Sequence, residues 1–398
     1  MRVLRNGRDR RHSGSSGPRA FEARTGSKQK NDDLLLPFQD AEAGIGPLSG
    51  IRRYRAGRDP GEVEVPASLE PVEILPGVLW LRVDQPFALD HVNCYLVEDY
   101  GGWTLVDTGI GGEIGSRQWD ALLNGPLRGT RITRILTTHA HPDHIGAAGW
   151  LSRRFDAVIY SNADELNRLR HMLRSFDPAE ASRNAAFYRM HGLAGEAADA
   201  LSLQDHRYAA FVDELPADIR HLTSSEVLDI GGRQFAVIIG RGHSPCGMLY
   251  RSLDGTVCFS GDQILSSITP LIGVWAENAD ENPLDDYLSF LASVPVQISD
   301  AALVLGGHQM PFKDAAARAL SIRRHHEERC AIIRSFCGDE GRSVGDIIPV
   351  LFPKAKGEMS IGFAFGEVLA HMHYLAARGE LDTGRAGDWA IQFTRTNP

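Results

Sequence analysis

The stretch THAHPDHIGAAGW, residues 138–150, sets His139, His141, Asp143 and His144 within six positions. Imidazole nitrogen and carboxylate oxygen are donors that zinc takes readily and that iron or manganese also accept. His139 and His141 alternate, so an extended backbone points both the same way, and Asp143 and His144 fall where the chain turns into a helix. A pair of facing metals needs about seven protein ligands with room for a bridging water. Three more must therefore come from elsewhere in the chain.

Three later stretches offer them. GRGHSPCG puts His243 just after QFAVIIG, CFSGDQ puts Asp262 after TVCFS, and LVLGGHQ puts His308 after AALVL. Each is a ligand-capable residue directly after a short apolar run, in a Gly-containing turn that allows close backbone approach. A lone histidine in such a place is more often structural. Three such positions beside a dense cluster read as a metal cage.

The elements that must carry these loops are legible as short strands. NCYLVED and GGWTLVDTG are apolar or alternating runs bounded by Gly and Asp, and RITRILTTHA leads straight into the histidines. IGAAGWLSRRF after them has helical spacing. From about 162 to 222 the chain turns helical and carries Phe176, Phe187, Tyr188, Met190 and Phe211. Strands return with EVLDIGGRQFAVIIG, MLYRSLDGTVCFSGD and AALVLGGH. This order predicts an α/β fold, two sheets packed face to face with helices outside. From about 313 the chain is mainly helical, and Val368, Leu369, Met372 and Leu375 form one apolar stripe in the last helix.

The ligand set resembles the metallo-β-lactamase fold superfamily, whose H-x-H-x-D-H signature is matched by residues 139–144. The later His, Asp and His motifs of that superfamily match His243, Asp262 and His308, and TLVDTG resembles its first motif. The likeness covers about residues 72–312 and implies an αβ/βα metallo-β-lactamase sandwich with the site at one edge. It implies one metal on His139, His141 and His243, the other on Asp143, His144 and His308, and Asp262 between them. Asp107 would stand behind the ligands, hydrogen-bonded to a ligand histidine and fixing its tautomer. The cofactor implied is two Zn2+, with Fe or Mn as alternatives. A water shared by two dications loses a proton near neutral pH. The expected chemistry is hydrolysis by that bridging hydroxide, with Asp143 and Asp262 as the catalytic carboxylates and Asp143 able to hold the proton. The terminal helices resemble the small winged-helix domain of one branch of the superfamily.

Departures narrow the reading. Asp262 stands where secreted zinc β-lactamases of the main subclass carry cysteine, and His141 where flavodiiron proteins place glutamate. Many relatives read H-T-x-x-H around the third histidine, but Gly247 stands here where the second would fall. Cys246 beside it reads as wall or packing. What remains is hydrolysis of a thioester, ester, lactone or phosphodiester, and the favoured substrate is a carboxylic ester, thioester or lactone with a bulky apolar portion. The helical segment is read as an insert that lids the metals, with His171, Phe187, Tyr188 and Met190 lining an apolar pocket.

A phosphodiesterase or endoribonuclease of the same superfamily is the alternative, and a winged-helix DNA-binding regulator a further one. Residues 1–30 hold nine Lys/Arg against Asp9 and Glu22, a net of +7, while the whole chain is −9, which leaves −16 for the rest. An acidic body argues against a polyanion partner, and the part from 313 onward shows no Lys/Arg stripe. A small-molecule substrate is expected instead, with the terminal domain shaping the pocket or a homodimer contact.

The expected division is a basic, disordered tail over 1–70 and a catalytic domain over 71–312 with its insert at about 162–222. A winged-helix-like domain follows over 313–385, then a tail over 386–398. A transit peptide or a nucleic-acid-binding arm is the lesser reading of the amino-terminal tail, and a misassigned start would look the same. Five scattered cysteines without C-x-x-C pairs, no run long enough for a membrane span and no secretory signal point to a cytoplasmic protein.

Overall fold

Side chains alternate across a strand, and here the alternation sorts apolar residues into three layers of core. The computed structural model describes residue 51 and residues 66–87, 89–386 and 390–396. The expectation of a tail over 1–70 lies outside the described residues, apart from Ile51 and 66–70.

Seven strands form the first sheet in chain order: β1 (Val72–Leu75), β2 (Val78–Asp84), β3 (His91–Asp99), β4 (Gly102–Val106), β5 (Ile132–Leu136), β6 (Val158–Ser161) and β7 (Ile219–His221). β1 to β4 pair antiparallel, and β4 to β7 pair parallel. Parallel neighbours need helical crossovers. α1 (Gly112–Asn124) joins β4 to β5, and α2 (Pro142–Ile145) with α3 (Ala148–Phe155) joins β5 to β6. The second sheet holds β8 (Val227–Ile230), β9 (Arg233–Gly240), β10 (Gly247–Ser252), β11 (Val257–Gly261) and β12 (Leu303–Gly306) in the order β12-β11-β10-β9-β8.

Between the sheets lie Trp80, Tyr95 and Leu136 from the first and Phe235, Tyr250 and Phe259 from the second. The alternate residues Leu79, Leu81 and Leu96 face outward onto Trp119 and Leu122 of α1 and Leu151 of α3. On the far side of the second sheet, Ile238, Leu249 and Val304 share a core with further helices. The result is the expected αβ/βα sandwich.

The crossover from β6 to β7 is the helical insert, with α4 (Ala163–Met172), α5 (Pro178–Met190), α6 (Gly195–Leu201) and α7 (Gln204–Ala209). Asn162 caps α4 by accepting from the Asp164 N–H, and Asp177 caps α5 ahead of Pro178. The expected insert at 162–222 is too long by one strand, because 219–221 pair with β6 as the sheet edge.

α8 (Pro283–Gln297) joins β11 to β12. α9 (Ala315–Cys337), α10 (Val344–Leu351) and α11 (Glu358–Ala377) follow, and then a hairpin of β13 (Leu381–Ala386) and β14 (Ala390–Arg395). The expected tail over 386–398 is thus corrected: residues 390–395 are a paired strand, held because Phe393 and Leu381 are buried in the helical core. That same core takes in Tyr287 and Leu291 of α8, Ile322 and Ile333 of α9, and the stripe Val368, Leu369, Met372 and Leu375 of α11. Among the described residues no helix is long and apolar enough to cross a membrane.

Candidate metal centre

The loops after β5, β9, β11 and β12 converge. Past Leu136 the chain reaches His141 in extended backbone, and Pro142 then opens the single turn α2 that carries Asp143 and His144. His243 follows β9, Asp262 follows β11 directly, and His308 comes two residues after β12. The approach is close enough to demand glycine at 307, where a Cβ would lie 2.4 Å from both Asp262 Oδ1 and His144 Cε1.

The seven residues singled out from the sequence are brought together. Three overlapping groups have ligand atoms within 4.8 Å of one another: His139, His141 and His243; His139, His144 and Asp262; and Asp143, His144 and His308. His144 Nε2 lies 3.5 Å from Asp262 Oδ1, His308 Nε2 lies 3.4 Å from Asp262 Oδ2 and 3.3 Å from Asp143 Oδ2, and His243 Nε2 lies 3.7 Å from Asp262 Oδ2. These separations suit a shared cation: ligands about 2.0–2.1 Å from one zinc in tetrahedral array stand roughly 3.3 Å apart.

The outer ring nitrogens are tied down. His243 Nδ1 donates to the Leu271 carbonyl at 2.9 Å and His308 Nδ1 to the His91 carbonyl at 2.8 Å. His144 Nδ1 meets Asp107 Oδ2 at 2.8 Å. The Thr138 hydroxyl donates to that same oxygen, and His139 Nδ1 stands 3.0 Å from the hydroxyl. Asp107 also accepts the Thr138 N–H, and it sits at φ +57, a left-handed conformation that Asp tolerates better than most residues. With the outer nitrogens occupied, several inner ligand atoms are left over. His144 Nε2, His243 Nε2 and Asp262 Oδ1 are buried without a hydrogen-bond partner among the described residues. Leaving a buried polar atom unpaired costs about 1–3 kcal/mol, and bound dications would remove that cost here. The residues therefore fit divalent metal ions.

Electrostatics agree with this. Burial and then the neighbouring His144 and His141 rings push His139 far below the usual imidazole range, which keeps its lone pair free. Burial alone would raise Asp262, but His308 and His144 outweigh it and hold the carboxylate well below its ordinary range. Burial would likewise lower His308, yet Asp262 and Asp143 push it up to about 10. The carboxylates thus demand positive charge, which metals would supply in place of protons.

A cavity of about 460 Å³ opens beside the ligands and reaches His141, Asp143, His243, Asp262 and His308. Its apolar wall includes Phe87, Met172, Leu271 and Trp275, with Met359 and Phe363 of α11 closing one side. Of the four pocket residues expected in the insert, His171 and Tyr188 line it. Phe187 and Met190 do not. Ala181, Asn184 and Tyr188 face the cavity at helical spacing, which turns 187 and 190 away. Phe187 packs instead against Phe365 and His191.

The missing histidine at 247 has a physical explanation. Gly247 pairs with Gly240 across β9 and β10, and a Cβ at 247 would lie 2.3 Å from Gln263 Nε2. The Gln263 amide fills that space and donates to the Gly240 carbonyl at 2.9 Å. Cys246 is buried and lies outside the cavity lining; burial and then Asp164 push its thiol up to about 12, so it stays protonated at neutral pH. Sequence reasoning missed Glu165, a fully buried carboxylate that accepts N–H groups from both histidine loops. In the sequence it looks like an ordinary acidic residue of a first helical turn.

Comparison with known proteins follows the same division of the chain. Residues 88–312 match the Metallo-beta-lactamase superfamily, and residues 330–396 match the Metallo-beta-lactamase-like, C-terminal domain. A beta-lactamase domain protein from Burkholderia ambifaria is 32% identical, with a TM-score of 0.77 over 85% of this chain and 97% of its own. The metallo-beta-lactamase family protein TTHA1429 from Thermus thermophilus is 27% identical, with a TM-score of 0.69 over 81% of this chain and all of its own. An exodeoxyribonuclease of Bacillus anthracis, YycJ, is 34% identical over 70 residues, 17% of this chain and 25% of that protein. The chain spans about a quarter of the length of the curated relatives it matches. The signature loops, the sandwich that carries them and a match over more than half its length make this chain a member of the metallo-β-lactamase superfamily.

Proposed function

We propose that this chain is a dinuclear, zinc-dependent hydrolase of a carboxylic ester, thioester or lactone whose apolar portion fills the cavity. The observation that carries the reading is a seven-residue ligand set opening directly onto a cavity with a largely apolar wall. When bound, the metals would supply an activated water and polarise the scissile carbonyl. His139, His141 and His243 would hold one metal, Asp143, His144 and His308 the other, and Asp262 both. Asp143 is the carboxylate placed to hold a proton, because its side chain is part-exposed to the cavity and its Oδ2 faces His308. Asp107 keeps His144 in one tautomer. Met359 and Phe363 give the carboxy-terminal part a share in substrate binding, and its three helices and hairpin support a winged-helix reading. Five buried thiols outside any disulfide support a cytoplasmic location.

The short match to an exodeoxyribonuclease favours a second reading, cleavage of a phosphodiester. Against it stands the charge at the cavity. Two of its basic groups face acids rather than an open groove, Arg168 pairing with Glu277 at 2.8 Å and His171 lying 3.5 Å from Glu180, while Arg174 turns to His171. The test is metal content measured beside a panel of acyl-CoA thioesters, aryl esters, lactones, bis-aryl phosphodiesters and RNA, with Asp143→Ala and His243→Ala as controls. About two metals per chain and carbonyl turnover lost in both variants are expected. Phosphodiester or RNA cleavage alone would replace the leading reading with the second.

A further inference from the structure

Glu165 sits on the first turn of α4, inside the insert, and is fully buried. Its Oε2 accepts the Ala140 N–H at 2.8 Å, and its Oε1 accepts the Cys246 N–H at 2.6 Å. Ala140 lies between His139 and His141, and Cys246 lies three residues after His243. One carboxylate thus joins a loop of the first sheet, a loop of the second sheet and the insert. These are the two loops that bring His139, His141 and His243 together.

The ligand that most needs such support is His141. The rings of His139, His144, His243 and His308 each give an outer nitrogen to a hydroxyl, carboxylate or carbonyl outside the ligand set. His141 instead turns Nδ1 toward His139 Nε2 at 2.9 Å and is exposed. Its position rests on the backbone that carries it, and the preceding N–H is the one Glu165 holds. Hydrogen bonds to an ionised acceptor are shorter and roughly twice as strong as neutral ones, so a carboxylate is an effective anchor for both loops.

We propose that Glu165 is a positioning residue that clamps both histidine loops and so preorganises the metal site of His139, His141 and His243. The same clamp fixes α4, whose Arg168, His171 and Met172 line the cavity, and so sets the insert over the metals. This inference rests on the metal-centre reading above. Glu165→Gln keeps the side chain's shape but offers one acceptor oxygen and turns an NH2 group on the other N–H. The expected result is Zn2+ binding weakened about 10–100-fold in competition with a chromophoric chelator, together with an altered visible spectrum of the Co2+-loaded chain. Hydrogen exchange of the metal-free chain should rise in 138–145 and 243–247 together, while α9 is unchanged. Zn2+ affinity within twofold of wild type and unchanged exchange in both loops would overturn the clamp and leave the metal centre standing. Wild-type chain that takes up no metal would overturn both. Should the variant fail to fold, exchange in metal-free wild type decides: the Ala140 and Cys246 amides are expected to be as protected as β5 and β9, and rapid exchange there would refute the clamp.

Discussion

Five imidazoles crowd the edge of the sandwich, and two more, His326 and His371, are buried where α9 packs on α11. Both groups include carboxylates, Asp143 and Asp262 in one and Glu367 in the other, with ligand atoms near enough to share an ion. They differ in what the donors already do. At the sandwich edge, outer nitrogens are bonded, while His144 Nε2, His243 Nε2 and Asp262 Oδ1 are left unpaired beside a cavity. Between the helices, His371 Nδ1 donates to the Glu367 carbonyl at 2.7 Å, and its Nε2 meets His326 Nδ1 at 3.1 Å. Arg329 already pairs with the Glu367 carboxylate, and His326 Nε2 is the nitrogen of this group left over. That cluster is neutralised from within and uses most of its nitrogens for packing. Residue types at ligand distance do not make a metal site; several unspent donors and uncompensated charge do.

The comparison can be broken at either end. Asp262→Ala should remove bound metal and cut turnover by more than 100-fold, beyond the 10–100-fold typical of residues that only orient a ligand; metal analysis and initial rates check it. Arg329→Met would strand the Glu367 carboxylate. It should cost about 3 kcal/mol in denaturant unfolding, at the low end for breaking a buried pair, while metal content is unchanged. Metal gained by that variant would show that Arg329 alone keeps an ion out. Asp107→Ala should weaken metal affinity by about 10–100-fold without touching a ligand, read by chelator competition.

His326→Phe is expected to have the smallest effect, a loss of roughly 1 kcal/mol with metal stoichiometry intact. It also carries a pH signature. Burial and then His371 push His326 down to about 2, and burial and then Arg329 push His371 down to about 3. Unfolded histidine titrates near 6.5, so below that pH the unfolded chain binds more protons and the fold loses stability as pH falls. The wild-type melting temperature should drop between pH 7 and 5, and His326→Phe should flatten the drop.

The sandwich was legible because its strands read as short apolar or alternating runs, several of them closed by Gly or Asp, as QFAVIIG and TVCFSGD are. The metal centre was legible for a related reason. Four of its seven residues lie within six positions, and each of the other three follows a recognisable strand. The hairpin of β13 and β14 was not legible, since LDTGRA and AIQFTR mix small, charged and apolar residues and owe their order to Phe393 and Leu381 packing on the helices. Phe187 and Met190 were misplaced because composition marks a helix as apolar without saying which stripe faces a cavity.

What the sequence by itself determined is therefore local: the strands, the helices and the ligand residues, each written in spacing that a few neighbours decide. Only the tertiary structure decided which nitrogens stay unpaired, which stripe of α5 meets the cavity, that Gln263 fills the space at Gly247, and that Glu165 reaches two loops at once. Those outcomes depend on contacts between segments far apart in the chain. A buried polar atom keeps its place by the partner it finds there, and no spacing along the chain records that partner.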